Sequence, residues 1–139
     1  MDKNKKVTYA DKDASWELYV ELNTKMTTQS IIQYYKDEPT TGDIKSALTS
    51  IYSIFPETRL ILKRYGHQGK QFANLAFEML NVEIRPFTTK WHKESLYPDR
   101  LHHDEFQEDL KKLQSDLAPY VAKFLEMANT DDLLLDKVE

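Results

Sequence analysis

Apolar side chains recur every three or four residues along most of this chain, which is the spacing of one face of an α-helix. The first such pattern runs from about Asp13 to Thr27, and Asp13 is its expected N-cap. The face expected to be buried consists of Trp16, Tyr19, Val20, Asn23 and Met26. Leu18 and Leu22 widen that face, so this helix is expected to pack on more than one neighbour.

The second helical pattern follows the TTGD stretch at residues 40–43. Its apolar positions are Ile44, Ala47, Leu48, Ile51, Ile54, Phe55, Ile61, Leu62 and Tyr65. Gly66 can adopt the left-handed conformation that often ends a helix. Pro56 cannot donate a hydrogen bond to Tyr52 and its ring crowds that carbonyl, so we expect a kink or a restart at this point.

Two further patterns complete the chain, and each contains a proline. In the third, at residues 70–91, Arg85 precedes Pro86 and is expected to leave α-helical geometry, which predicts a bend or a helix end. The fourth pattern has an apolar seam at Phe106, Leu110, Leu113, Leu117, Tyr120, Phe124 and Met127. Pro119 lies beside this seam and predicts a kink near Ser115.

These four patterns predict an all-α fold of four main helices, in an up-and-down or irregular bundle kinked at its prolines. We expect one domain at residues 13–130, between a flexible N-terminal segment at 1–12 and a flexible tail at 131–139. The connection after the first helix contains Ile31, Ile32, Tyr34 and Tyr35. This segment is too apolar for a free linker and is expected to fold back onto the bundle.

Composition narrows the class of protein. The 139 residues suit one domain, and the absence of cysteine excludes disulfides, thiolate metal sites and cysteine nucleophiles. No apolar run reaches the roughly 18 residues of a membrane span and no signal-peptide core opens the chain, so we expect a cytoplasmic protein without a membrane partner. The formal charge of −4 gives no overall basic field for nucleic acid.

Metal binding is tested by the spacing of histidines and carboxylates. The sequence lacks the Glu-x-x-His pairs of di-iron bundles, and its closest cluster is DRLHHDEF, with Asp99 and His103 one turn apart. Acidic residues at a helix start commonly complement the helix dipole. The familiar phosphate-loop and hydrolase motifs do not occur either. We therefore expect no metal and no cofactor.

One pair of residues is typical of catalysis. Arg85 and His92, with six residues between them, resemble the R-x(4–6)-H motif of HEPN ribonucleases, which are helical bundles that act as dimers. Histidine can transfer protons near neutral pH, and arginine can hold a charged phosphate. The residue after the arginine is usually polar in that family, whereas Pro86 follows it here.

Three blocks in order carry a second resemblance: WELYVEL at 16–22, ALTSIYSIFPETRLILKRYG at 47–66 and FANLAFEMLNVEIRPFTTKWH at 72–92. They resemble a family of largely uncharacterised bacterial helical proteins with W-E-L-Y-x-E-L, L-Y-x-x-F-x-x-T-R and R-P-x-x-x-K-W-H blocks. The resemblance implies membership of bacterial phage-defence gene sets, without a settled activity. Pro56 departs from the pattern. The matching positions are Trp16, Glu17, Thr58, Arg59, Arg64, Tyr65, Asn81, Arg85, Pro86, Trp91 and His92.

These observations together favour a non-enzymatic helical interaction module, an accessory subunit that binds a protein partner or a second copy of itself. The alternatives are a dimeric, metal-independent ribonuclease or toxin that uses Arg85 and His92, and a regulator that binds a small ligand. Structural roles also explain several of these residues: Trp16 and Trp91 are expected in the core, and Glu17 can pair with an arginine of another helix. The candidate binding residues are Tyr34, Tyr35, Arg59, Arg64, Arg85, Trp91 and His92.

Overall fold

The computed structural model describes residues 6–26, 41–96 and 103–130. Its elements in chain order are α1 (Tyr9–Lys25), α2 (Thr41–Tyr52), α3 (Ile54–Tyr65), α4 (Lys70–Glu78), a π-helical segment (Met79–Ile84), α5 (Arg85–Ser95) and α6 (His103–Ala128). Helices α2 and α3 form the second predicted unit, and α4 to α5 form the third. The all-α class is therefore confirmed. The 31–35 connection and the 131–139 tail lie outside the described residues.

Helix α1 begins earlier than its apolar pattern predicts. Thr8 is the N-cap: its hydroxyl accepts from the Asp11 N–H at 2.9 Å, while the Asp11 carboxylate accepts from the Thr8 N–H at 3.0 Å. The prediction that Asp13 caps this helix is wrong, because the reciprocal Thr8–Asp11 bonds already satisfy the start of the helix. Asp11 is buried and its other oxygen accepts from the Phe72 N–H of α4 at 2.9 Å, beside the buried Gly69.

The buried face of α1 also differs from the prediction. Ala14, Leu18 and Leu22 are buried, whereas Trp16 is 52% exposed. The expectation that Trp16 lies in the core is therefore wrong, while Trp91 is buried as expected. Apolar residues occur on both sides of α1, so periodicity alone could not tell which side faces the other helices.

The helix pair α2–α3 restarts close to Pro56, as predicted. Helix α2 ends at Tyr52, and Pro56 lies in the first turn of α3, where a missing N–H costs no hydrogen bond. Gly66 ends α3 with φ −61° and ψ −28°, so the expected left-handed conformation is not formed. Instead, the Gly66 N–H bonds to the Leu62 carbonyl and the Gly69 N–H bonds to the Tyr65 carbonyl.

Pro86 is accommodated without a helix end. Arg85 keeps α-helical angles of φ −58° and ψ −43°, so the prediction that it leaves α geometry is wrong. The preceding turns are widened instead, and the Arg85 N–H bonds to the carbonyl of Leu80, five residues back. Such a π-helical segment moves the carbonyls before Pro86 away from its ring.

Helix α6 is the central element of the bundle. It continues through Pro119 and packs on α1, α2, the π-helical segment and α5. Six residues of its predicted seam are buried, and Met127 packs partly buried against the same core. Among the described residues, the largest fully buried side chains are Trp91, Phe72, Phe106, Phe124, Leu18, Leu22, Ile44, Ile51 and Ile54.

Candidate functional site

The candidate site is an exposed apolar surface between α1 and α3, which we call the α1–α3 surface. Trp16 and Val20 of α1 are 52% and 38% exposed, and Leu60 of α3 is 53% exposed. These three residues lie along an open groove of about 300 Å³. The other residues that line the groove are Glu17, Glu21, Glu57, Ile61 and Arg64.

Charged side chains border this apolar surface. Arg64 forms an ion pair with Glu17 at 2.5 Å, and the Tyr65 hydroxyl donates to the other Glu17 oxygen at 2.5 Å. The hydrogen bond to Glu17 is the main cause that raises the pKa of Tyr65. The ion pair predicted for Glu17 and an arginine of another helix is therefore present. It is solvent-exposed, so it contributes about 0–1 kcal/mol and mainly fixes the position of the side chains.

Trp16 is held in a defined orientation. Its ring stacks on Tyr19 with a centroid distance of 5.6 Å and an interplanar angle of 28°. An aromatic side chain that is already ordered loses little conformational entropy when a partner covers it. Apolar centres with a charged border are also the usual anatomy of protein interfaces.

The predicted binding residues are distributed over separate parts of the molecule. Arg64 lies at the border of the α1–α3 surface and Arg59 is exposed on α3. Tyr34 and Tyr35 lie outside the described residues. Trp16, Val20 and Leu60 are not among the binding residues predicted from the sequence, although Leu60 is an apolar residue outside the buried pattern of its helix.

Arg85 and His92 are both exposed on α5. The Arg85 Nε donates to the Asn81 side chain at 3.2 Å, and its guanidinium lies 5.1 Å from the centre of the Phe55 ring. The rings of His92 and Tyr52 are nearly perpendicular, with centroids 6.1 Å apart. Seven residues along an α-helix span two turns, so both side chains lie on the side of α5 that faces the α2–α3 unit.

Trp91 belongs to a buried cluster between α5 and α6. It is 1% exposed, packs edge-on against Phe106 at 5.1 Å, and donates its indole N–H to Asp109 at 3.0 Å. The same Asp109 oxygen accepts from Lys90 at 2.7 Å, and Lys90 also bonds Glu105 at 2.6 Å. The bond to Asp109 is the largest cause that raises the pKa of Lys90. Trp91 therefore stabilises the core and is not available on the surface of the single chain.

A second polar cluster joins α6 to the end of α4 and to the π-helical segment. The Tyr120 hydroxyl donates to Glu78 at 2.7 Å and lies 3.2 Å from a Glu83 oxygen. Burial, followed by these two hydrogen bonds, raises the pKa of Tyr120 far above its usual range. A phenol held protonated by two carboxylates is a structural hydrogen-bond donor rather than a base.

Over residues 6–26, 41–96 and 103–130, no three histidine or carboxylate side chains are placed to hold a metal ion. Asp99 of the DRLHHDEF cluster lies outside these ranges. None of the described helices combines the length and apolar composition needed to cross a membrane. No family model, curated protein or solved structure matches this chain significantly. The function proposed for this protein therefore rests on its own residues and their contacts.

Proposed function

We propose that this protein is a non-enzymatic helical interaction module whose α1–α3 surface binds a protein partner. The observation that carries the proposal is the exposure of Trp16, Val20 and Leu60 side by side along one groove. Tryptophan is among the residues that contribute most to binding energy at interfaces. Exposed apolar groups bordered by ion pairs are suited to a partner that contributes its own apolar centre.

The composition of α1 supports the same proposal. A helix with a single apolar side needs one set of neighbours, but α1 has a buried side centred on Leu18 and a second apolar side at Trp16 and Val20. Among the residues that the structure describes, the bundle covers only the first of these. A partner that covers the second side would complete the burial of this helix.

The proposal also includes a cellular role for the protein. The resemblance of the three sequence blocks to bacterial phage-defence proteins suggests an accessory subunit of a multi-protein defence system. The absence of cysteine from the chain suits the reducing cytoplasm. The partner is then another soluble protein of the same system.

The test is a quantitative comparison of partner recovery and affinity. Wild type and Trp16→Ala are expressed with a tag in the native host. Proteins that are recovered with the tagged wild type in larger amounts than with the variant are identified and then purified. We expect Trp16→Ala to weaken the affinity of the purified partner at least tenfold, on the order of 1.4 kcal/mol or more.

Phe77→Ala is the matched control, because Phe77 is a 50% exposed aromatic residue of α4 that does not line the groove. Circular dichroism verifies that both variants remain folded. If the two substitutions change partner affinity equally, or if neither changes it, the α1–α3 surface is not the binding site.

A second candidate function is RNA cleavage, and it is favoured by the exposure of both Arg85 and His92 on one side of α5. The test is cleavage of total RNA in the presence of a metal chelator. Under this alternative, His92→Ala and Arg85→Ala abolish cleavage, while His67→Ala, at another exposed histidine, leaves it unchanged. A wild-type protein that cuts no RNA under these conditions removes this candidate.

A further inference from the structure

Negative charge exceeds positive charge around the α1–α3 surface. The charged residues that line its groove, among those that the structure describes, are Glu17, Glu21, Glu57 and Arg64. Arg64 is already paired with Glu17 at 2.5 Å. Glu21 is paired at 2.9 Å with Lys25, which does not line the groove. Within the described part of the chain Glu57 forms no ion pair, so its carboxylate is available for a cation of a binding partner.

The acidic side chains are concentrated at one end of the groove. Helices α1 and α3 run antiparallel, because the start of α1 contacts the chain that follows α3, while Glu17 in the middle of α1 lies beside Arg64 in the last turn of α3. Glu21 lies one turn further along α1, and Glu57 lies two turns earlier in α3. Both carboxylates therefore lie away from the neutral Glu17–Arg64 pair, and they make the opposite end of the groove acidic.

The walls of the groove favour a helix as the bound segment. Both walls are α-helices, whose backbone N–H and C=O groups are bonded within the helix itself. An extended segment laid between them would find no backbone partners, whereas a helix satisfies its own backbone hydrogen bonds. The lining residues of α3 extend from Glu57 to Arg64, about 10 Å along the helix axis, which is the length of about two helical turns.

We infer that the α1–α3 surface binds an amphipathic helix of the partner protein, and that this helix carries lysine or arginine beside its apolar face. The inference rests on the proposed function and specifies the chemistry of the partner. The apolar face of the bound helix covers Trp16, Val20 and Leu60, and its basic side chain lies at the acidic end of the groove, near Glu57. A helix with an acidic border would be repelled at that end.

The first experiment reverses the charge at Glu57 and uses the partner protein that the comparison of wild type with Trp16→Ala identifies. Glu57→Lys should weaken the affinity for the purified partner at least tenfold at low salt, because two cations then face each other. Glu57→Gln, which only removes the charge, should weaken it less. The difference between Glu57→Lys and wild type should shrink as the salt concentration increases, because dissolved ions screen exposed charges.

Asp104→Lys is the matched control. Asp104 is an exposed acidic residue in the first turn of α6, as Glu57 is in the first turn of α3, and it does not line the groove. Both substitutions therefore change the net charge equally and place a cation at the start of a helix. Asp104→Lys should keep the affinity within about twofold of wild type, since it alters only the overall field of the protein. Circular dichroism verifies that each variant is folded.

The second experiment identifies the bound segment and restores the charge pair. Hydrogen exchange of the partner, alone and in the complex, locates the segment that wild type protects and Trp16→Ala does not. We expect this segment to be helical in the complex and to contain a lysine or arginine. Replacing that residue by glutamate should weaken binding to wild type, and combining it with Glu57→Lys should restore the affinity to within about threefold.

Failure of this inference can be told apart from failure of the proposed function. If Trp16→Ala weakens binding but Glu57→Lys binds as well as Asp104→Lys, the surface binds a partner without a basic helix, and the inference is wrong. A protected segment that is extended or acidic, or that belongs to a second copy of this chain, also overturns it. If Trp16→Ala and the Phe77→Ala control bind equally well, the proposed function fails and the inference fails with it.

Discussion

Asp11 joins the starts of two helices that are 61 residues apart in the sequence. One carboxylate oxygen accepts from the Thr8 N–H and the other accepts from the Phe72 N–H, at 3.0 and 2.9 Å. Gly69, which precedes α4, offers no side chain to cap that helix. A Cβ at Gly69 would lie 3.1 Å from the Asp11 nitrogen, which is tighter than most Cβ contacts, so the close approach of the two helix starts favours glycine.

Asp11→Ala should lower the free energy of unfolding by about 2–4 kcal/mol. The substitution removes one half of the capping box, worth about 1 kcal/mol, and leaves the buried Phe72 N–H without an acceptor, at a cost of about 1–3 kcal/mol. Denaturant unfolding measures the difference. Asp13→Ala is the matched control, because Asp13 is exposed on the same helix and should change stability by no more than about 0.5 kcal/mol. Equal effects of the two substitutions would contradict this role of Asp11.

The sequence predicted where the helices lie along the chain better than it predicted which side of each helix is buried. Periodicity identified the helical units because every buried face repeats at three and four residues, and Pro56 correctly marked the break between α2 and α3. The same periodicity placed Trp16 in the core, because α1 has apolar residues on two sides. Which side is buried depends on α3, α4 and α6, and that is not a local property of the sequence.

The π-helical segment aligns the buried faces of α4 and α5. Phe72 and Trp91 are nineteen residues apart and both are buried. In a continuous α-helix this separation is about 5.3 turns, which would rotate the two side chains by roughly 100° relative to one another. One additional residue taken up by the widened turn restores a separation close to five full turns. The extra residue also provides room for the Pro86 ring.

Deletion of Val82 combined with Pro86→Ala should therefore keep the fold and nearly wild-type stability. Val82 is 59% exposed within the π-helical segment, and its loss converts the segment to α-helix without rotating α5. Deletion of Val82 alone should be less stable than this double variant by about 3 kcal/mol, because an α-helical turn brings a carbonyl back against Pro86. Thermal and denaturant unfolding, followed by circular dichroism, measures both differences.

The control is deletion of Ser115, an exposed residue of the regular α-helix α6. Removing it rotates all later residues of α6 by about 100° and turns Leu117, Tyr120 and Phe124 out of the core. This variant should not fold. If the Val82 deletion with Pro86→Ala is as disruptive as the Ser115 deletion, the π-helical segment does not absorb an extra residue.

For the whole molecule, the sequence predicted the fold class but not the contacts that join distant elements. The seam of α6 could be predicted because its apolar residues repeat without a gap, whereas the hydrogen-bond partners of Tyr120 and Trp91 come from the packing of separate helices. The candidate surface was missed for the same reason. Trp16, Val20 and Leu60 become neighbours only when α1 packs on α3.

The hydrogen bonding of Tyr120 makes the free energy of unfolding depend on pH in the alkaline range. Tyr120 donates to Glu78 and Glu83, and its pKa is raised, so the folded state holds this proton more tightly than the unfolded chain does. Above about pH 10 the unfolded phenol ionises while the folded one remains protonated, and the free energy of unfolding falls as pH increases. The stabilisation that comes from the raised pKa of Tyr120 is fully present below about pH 10.

Tyr120→Phe should therefore have two effects. At pH 7 it should lower the free energy of unfolding by about 1–2 kcal/mol, because the hydrogen bonds to Glu78 and Glu83 are lost. Between pH 10 and pH 11, in the range where an ordinary tyrosine ionises, its stability should decline less steeply than that of wild type. Some decline should persist, because the pKa values of Tyr52, Tyr65 and Lys90 are raised as well. Urea unfolding at closely spaced pH values measures both slopes, and identical slopes would mean that Tyr120 does not hold its proton more tightly in the folded state.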